Sequence, residues 1–181
     1  LKDNYLINLE LKKDKRGFFA RYFCEKEFLK QGLNTKWVQI DNSASKEVGT
    51  LRGMHYQIAP YHQDKLIRCV HGKIYDVIVD IRKDSKTFGQ WCGCYLDSES
   101  CNQLWVPYGF AHGFLVISSK AGVIYKTSKY WSKIHERSIR WNDKRIGINW
   151  PFEQFNIKNP TLSKKDGDAP LLDESENFVN L

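Results

Sequence analysis

A series of short, evenly spaced strand candidates fills the middle of the chain and limits the folds open to it. Each is rich in β-branched and aromatic residues. The candidates are residues 65–81 (which break into two strands at His71-Gly72), 88–96, 103–107, 114–118 and 122–127. Turn signals separate them at Asp84-Ser85, Asp97-Ser98 and Tyr108-Gly109. This pattern predicts an all-β sandwich or barrel.

The flanking segments contribute little regular structure. Residues 25–31, ending at Gly32, predict one short helix, and the polar tail from Thr161 predicts short helical turns or a surface wrap. No repeat, linker or low-complexity stretch divides the 181 residues, so a single domain over residues 1–181 is predicted.

The cellular compartment is predicted from three sequence features: apolar runs, the first ten residues and the cysteines. No apolar run reaches the roughly 18 residues that cross a bilayer, and residues 1–10 contain no secretory apolar core. The cysteines are odd in number and show no paired CxxC spacing: Cys24, Cys69, Cys92, Cys94 and Cys101. They predict reduced thiols in a cytoplasmic protein without a membrane partner.

A formal net charge of +7 favours an anionic partner. Nucleic acid, a membrane surface and a small diphosphate all fit that charge. Lysines and arginines are interleaved with acids along the chain, which argues against a nucleic-acid partner, although a solvated surface is the plain alternative.

Three clusters carry candidate chemistry. They are Leu51–Gln57 (LRGMHYQ), residues 106–114 (VPYGFAHGF) and residues 124–131 (IYKTSKYW). Each residue has an ordinary explanation as well: His55 or His112 as a structural histidine, Tyr125 as a core aromatic, and Lys65 as a strand-end cation. Together they supply an arginine for phosphate, a histidine base, a tyrosine acid and a lysine for an enolate oxygen.

Longer ordered motifs resemble the dTDP-4-dehydrorhamnose 3,5-epimerase family. The motifs are LRGMHYQ, KLIRCVHGKIYDVIVDIRKDSKTFGQW, LWVPYGFAHGF, YKTSKYW and RWNDKRIGINWP, and the likeness extends from RGFF at residues 16–19 to LSKKD at residues 162–166. The resemblance implies a cupin jelly-roll β-barrel with a few short peripheral helices. It also implies a homodimer without cofactor or metal, acting on a nucleotide-diphosphate sugar.

Site residues follow from the same resemblance, position by position. His55 matches the family's base, Tyr125 its acid, Lys65 the lysine near the substrate ketone, and Asp166 the carboxylate that supports the histidine. The matching substrate-binding positions are Arg16, Arg21, Gln39, Asp41, Asn42, Arg52, His112, Glu136 and Lys165. The implied reaction inverts C3, C5 or both beside a 4-keto group of a deoxysugar.

Departures from the family pattern keep alternatives open. Arg21 stands where relatives carry a glutamate, the register around Asp41 and Asn42 is ambiguous, and Trp131 replaces an aromatic of the YKTxxYY segment. A single-centre epimerase on a CDP- or GDP-linked sugar is therefore one alternative, and a non-catalytic nucleotide-sugar-binding cupin is another. A metal-dependent cupin oxygenase is disfavoured, because the HxH pair of metal cupins is absent around His55.

Overall fold

Two five-stranded antiparallel sheets make up most of the computed structural model, which describes residue 1 and residues 3–176. The strands, in chain order, are β1 (Tyr5–Ile7), β2 (Lys12–Asp14), β3 (Gly17–Phe19), β4 (Gln39–Ser45), β5 (Leu51–Gln57), β6 (Lys65–His71), β7 (Lys73–Asp80), β8 (Trp91–Asp97), β9 (Gln103–Val106), β10 (Phe110–Val116), β11 (Ala121–Thr127) and β12 (Glu136–Ser138). The first sheet has the order β1-β9-β6-β11-β4, and the second β12-β5-β10-β7-β8. Strands β2 and β3 form a separate hairpin. The predicted all-β jelly-roll barrel is confirmed.

Helices are few and short in the described part of the chain. They are α1 (Glu25–Lys30), α2 (Lys164–Gly167) and two single 3-10 turns, Glu153–Phe155 and Leu172–Glu174. The predicted helix at residues 25–31 and the predicted helical turns of the tail are therefore confirmed, except that residues 177–181 of that tail lie outside the described part. No helix within the described residues combines the length and hydrophobicity that a membrane span requires.

Three apolar clusters hold the layers together, and strand β7 shows how. Its Ile74 and Ile78 point into the space between the two sheets, whereas Val77 and Val79 point to the opposite face, where the C-terminal segment covers the second sheet. A strand buried on both faces is apolar almost throughout, as the sequence of β7 is. The third cluster packs Phe28 of α1 against the outer face of the first sheet.

The strand boundaries differ from prediction mainly at β10. The sequence pattern predicts a strand at residues 114–118, but the strand runs from Phe110 to Val116. Gly109, with φ of +89°, makes the turn and pairing with β7 begins at the next residue. Six of the described strands, β1 to β5 and β12, lie outside the predicted set. In β4 and β5, polar residues obscure the alternation of apolar ones.

Candidate active site

A polar cavity of about 480 Å³ opens between the two sheets. Strand alternation directs side chains into it: Gln39, Asp41 and Ser43 are alternate residues of β4, and all three line the cavity. Eight residues identified in the sequence line it, namely Gln39, Asp41, Arg52, His55, Lys65, His112, Tyr125 and Glu136. They come from six strands and both sheets, so the barrel brings together residues that are far apart in the chain.

His55 on β5 is paired with a carboxylate. Its Nε2 lies 2.6 Å from Asp166 Oδ1, and the Asp166 side chain is only 4% exposed. Burial works to raise the pKa of Asp166, but the hydrogen bond and charge of His55, assisted by the Ser163 hydroxyl, outweigh it and hold that pKa below its usual range. Asp166 is therefore held as an anion against Nε2, and this contact does not involve the other ring nitrogen, Nδ1.

The C-terminal segment delivers Asp166 to this position. The Leu51 N–H donates to the Thr161 carbonyl at 3.0 Å, and the Thr161 N–H donates to the Gly49 carbonyl at 2.9 Å. Ser163 then caps α2, its hydroxyl accepting the Asp166 N–H at 3.1 Å. Main-chain hydrogen bonds to the start of β5 thus fix the position of the segment that carries Asp166 relative to His55.

A second histidine–carboxylate pair lies deeper in the barrel. His112 Nε2 on β10 is 2.9 Å from Asp76 Oδ1 and 3.0 Å from Oδ2, and both residues are buried. Sequence analysis missed Asp76. Its signal was present, because an acid in the middle of the apolar run KIYDVIVD needs a buried partner.

Lys65 contributes a buried ammonium group at the start of β6. Burial lowers its pKa to about 8, and the carboxylates of Glu136, Asp76 and Asp41 limit the fall. At neutral pH the side chain is still mostly charged. A cation held in a low-dielectric cavity is suited to stabilise an oxygen on which negative charge develops.

Tyr125 projects into the cavity from β11, in the sheet opposite His55. Burial, more than any other influence, raises the pKa of its hydroxyl. The phenol therefore keeps its proton at neutral pH, as an acid that delivers a proton must. His55 and Tyr125 approach the cavity from different sheets, as an opposed base and acid do.

Arg52 and an ion pair supply further charge. Arg52 is held against β4, its Nε donating to the Ser45 hydroxyl and its Nη2 to the Ala44 carbonyl, each at 3.3 Å. Lys165 Nζ lies 2.7 Å from Glu136 Oε2 and links α2 to β12. Arg52 and Lys165 are the candidates for holding a diphosphate here.

Three residues suggested by the resemblance lie elsewhere within this chain. Arg16 sits on the β2–β3 hairpin with its side chain 82% exposed and paired with Asp14. Arg21 lines a separate cavity of about 380 Å³ next to α1. Asn42 is exposed on the outer face of β4, because its neighbours Asp41 and Ser43 take the inner face.

Two glycines allow β5 and β10 to approach closely beside the histidines. A Cβ at Gly113 would lie 2.8 Å from the Arg52 carbonyl oxygen, and one at Gly53 would lie 2.5 Å from the Gly113 Cα. The register of the two strands shifts just after His112, which pairs with His55. Because His112 and His55 are directly opposite each other in the pairing, both side chains face the same cavity.

The described residues form no group of three or more histidine, cysteine or acidic side chains that could hold a metal ion. The two histidines of the cavity are each paired with a carboxylate instead.

Comparison with known proteins agrees with the sequence motifs. The family model described as dTDP-4-dehydrorhamnose 3,5-epimerase matches residues 1–174. A dTDP-4-dehydrorhamnose 3,5-epimerase of Shigella flexneri is 47% identical over 167 residues, which are 92% of this chain and 89% of that protein.

Solved structures have the same fold. A dTDP-4-dehydrorhamnose 3,5-epimerase of Bacillus anthracis, with TDP and PPi bound, is 44% identical with a TM-score of 0.88, covering 93% of this chain and 94% of that one. A dTDP-6-deoxy-D-glucose-3,5-epimerase of Legionella pneumophila, in complex with dTDP-4-keto-L-rhamnose, is 37% identical with a TM-score of 0.92, covering 100% of this chain and 95% of that one. The chain therefore belongs to the dTDP-4-dehydrorhamnose 3,5-epimerase family.

Proposed function

We propose that this protein inverts C3 and C5 of a dTDP-linked 4-keto-6-deoxyhexose. The observation that carries the proposal is that His55, paired with Asp166, lies on one sheet and Tyr125 on the other, and that Lys65 lines the same cavity. A protein that only binds a nucleotide sugar has no need of a base and an acid that approach from different sides. The names of the related enzymes support both inverted centres and a dTDP-linked substrate.

The base step starts at a carbon next to the ketone. A C4 carbonyl acidifies the hydrogens on C3 and C5, because the electron pair left on either carbon delocalises onto the C4 oxygen. His55 takes the proton through Nδ1, and the Asp166 carboxylate stabilises the imidazolium that forms. The C–H electron pair becomes the enolate.

Charge on the C4 oxygen is met by the Lys65 ammonium. Lys65 is buried, so its interaction with the new oxyanion is screened little by water. His112, fixed by Asp76, lies in the same cavity and orients the sugar at this end. No metal is needed in this scheme, because the lysine supplies the positive charge.

Inversion is completed from the other face. Tyr125 gives its hydroxyl proton to the carbon that lost one, the enolate collapses to the ketone, and the configuration at that carbon is reversed. Solvent then reprotonates the phenolate and removes the proton from His55. The net reaction at each centre is a stereochemical change with no oxidation or reduction.

Diphosphate binding is assigned to Arg52 and Lys165, with Arg16 and Arg21 reaching the site from a second copy of the chain. The support is the β2–β3 hairpin, which carries Arg16 and exposes Phe18 and Phe19, side chains suited to pack against another protomer. We therefore propose a homodimer.

The five cysteines of the chain are all free, which fits a reducing compartment such as the cytoplasm.

Proton NMR in deuterium oxide, with dTDP-4-keto-6-deoxyglucose, tests the reaction. Deuterium should enter at both C3 and C5 and should fail to enter with a His55→Ala variant. His71→Ala is the matched control, since His71 is exposed at the end of β6 and should leave exchange intact. Exchange at one carbon would identify a single-centre epimerase, and no exchange with a folded protein would refute the proposal.

A further inference from the structure

Asp41 stands directly across the sheet from Tyr125. Strands β4 and β11 are antiparallel, and their register pairs Asp41 with Tyr125. Directly opposite residues place their side chains on the same face with Cβ atoms about 5 Å apart. Both residues line the same cavity, so the carboxylate and the phenol are neighbours inside the site.

Gln39 holds this carboxylate in place. Its Nε2 donates to both Asp41 oxygens, at 3.0 Å to Oδ1 and 2.8 Å to Oδ2. Its Oε1 accepts the Trp131 main-chain N–H at 3.1 Å, which fixes the orientation of the amide. The hydrogen bonds that hold the negative charge beside Tyr125 therefore come from a neutral amide.

The charges around Tyr125 oppose one another. After burial, Asp41 is the largest influence raising the pKa of the phenol; Arg52 on β5 lowers it and Glu136 on β12 raises it. Lys65 on β6 adds a second cation to the cavity. When His55 takes up a proton, a third cation joins them, and every cation favours the phenolate.

We propose that Asp41 is a positioning residue that keeps Tyr125 in its hydroxyl form between successive proton deliveries. The inference rests on the proposed function, in which one tyrosine donates at two carbons and must regain its proton in between. A fixed carboxylate makes the phenolate less stable and its reprotonation more favourable. Gln39 serves this role by aiming the carboxylate.

Tyrosinate absorbance near 295 nm measures the effect without reference to turnover. Each protein is titrated alongside the same protein carrying Tyr125→Phe, and the difference isolates the Tyr125 phenol. Asp41→Asn, which is nearly isosteric, should lower the midpoint of that difference by about one pH unit. Asp41→Glu, which restores the charge, should return the midpoint towards that of the unaltered protein.

A charge-matched variant separates position from net charge. Ile40 is 64% exposed on the outer face of β4, so Asp41→Asn combined with Ile40→Asp moves the carboxylate out of the cavity. This double variant should titrate like Asp41→Asn. An unchanged Tyr125 midpoint in Asp41→Asn, or a midpoint restored by the outward carboxylate, would overturn the inference.

Turnover then connects the titration with the reaction. Because Asp41 also raises the pKa of Lys65, the comparison is made with Lys65→Arg in both proteins. In that background, Asp41→Asn should lose more activity at pH 9.5 than at pH 7, because more Tyr125 is ionised. Equal loss at both pH values would also overturn the inference. If the unaltered protein exchanged no deuterium at C3 or C5 while the Tyr125 midpoint still moved, the proposed function would fail and the Asp41–Tyr125 coupling would stand.

Discussion

Removing the charge of Asp166 is the sharpest perturbation of the base. Asp166→Asn keeps the shape of the side chain but replaces an anion 2.6 Å from His55 Nε2 with a neutral amide. The amide cannot stabilise the imidazolium, and if its NH₂ group turns to the ring it selects the tautomer that carries a hydrogen on Nδ1. Both changes weaken Nδ1 as a base.

The size of the effect follows from the contact. A hydrogen bond to a charged group contributes about 1.5–3 kcal/mol, and here the acceptor is almost fully buried. Losing about 3 kcal/mol of stabilisation in the transition state lowers kcat by roughly 10²-fold. Thermal stability should change far less, because α2 is anchored by main-chain bonds that the substitution leaves in place.

Deuterium exchange at C3 and C5, followed by NMR together with kcat, is the assay. Asp168→Asn is the matched control, since Asp168 lies two residues further on, is exposed and pairs with Lys164 on the surface. The control should retain full exchange. A kcat for Asp166→Asn within about threefold of the unaltered enzyme would refute the assignment of Asp166 as the partner of the base.

Three further predictions address other parts of the site. Lys65 must be charged to stabilise the enolate, so kcat/KM should fall as the pH rises through about 8. Lys65→Arg stays charged and should abolish this fall in kcat/KM at high pH. A fall that persists in Lys65→Arg would contradict the proposed role of Lys65. Gly113→Ala places a methyl group 2.7 Å from Met54 Sδ and 2.8 Å from the Arg52 carbonyl oxygen, so the free energy of unfolding in urea should fall by about 2 kcal/mol. An unchanged free energy of unfolding would show that β5 and β10 can move apart there at no cost. Asp76→Asn leaves His112 without its anion, so KM should rise and kcat should fall while the fold persists by circular dichroism; unchanged kinetics would remove His112 from the site.

The fold was predictable where apolar residues recur. The hairpin of β6 and β7 was predicted from two apolar runs broken at His71-Gly72, because both faces of β7 are buried. Strand β4 was missed for the opposite reason. It lies at the edge of its sheet, one face is exposed and the other lines a polar cavity, so no apolar alternation marks it.

The site was predictable only in part from local sequence. His55 and Lys65 lie in recognisable motifs, but Asp166 meets His55 across 111 residues of chain, and only the family resemblance linked them. Asp76 illustrates the limit, because its partner His112 becomes a neighbour through the pairing of β7 with β10. The inner face of β4 depends on register, and an ambiguity of one residue there decides whether Asp41 or Asn42 enters the cavity.

The late position of Asp166 separates assembly of the pocket from activation of the base during synthesis. Strand β12 ends at Ser138, so every wall of the cavity emerges from the ribosome before the segment that begins at Thr161. His55 and the cavity walls are thus synthesised before the carboxylate that pairs with His55. A chain cut ahead of Ser163 loses the carboxylate that pairs with His55 and the Lys165 ammonium that pairs with Glu136 together, so proton abstraction and diphosphate binding both depend on this one late segment.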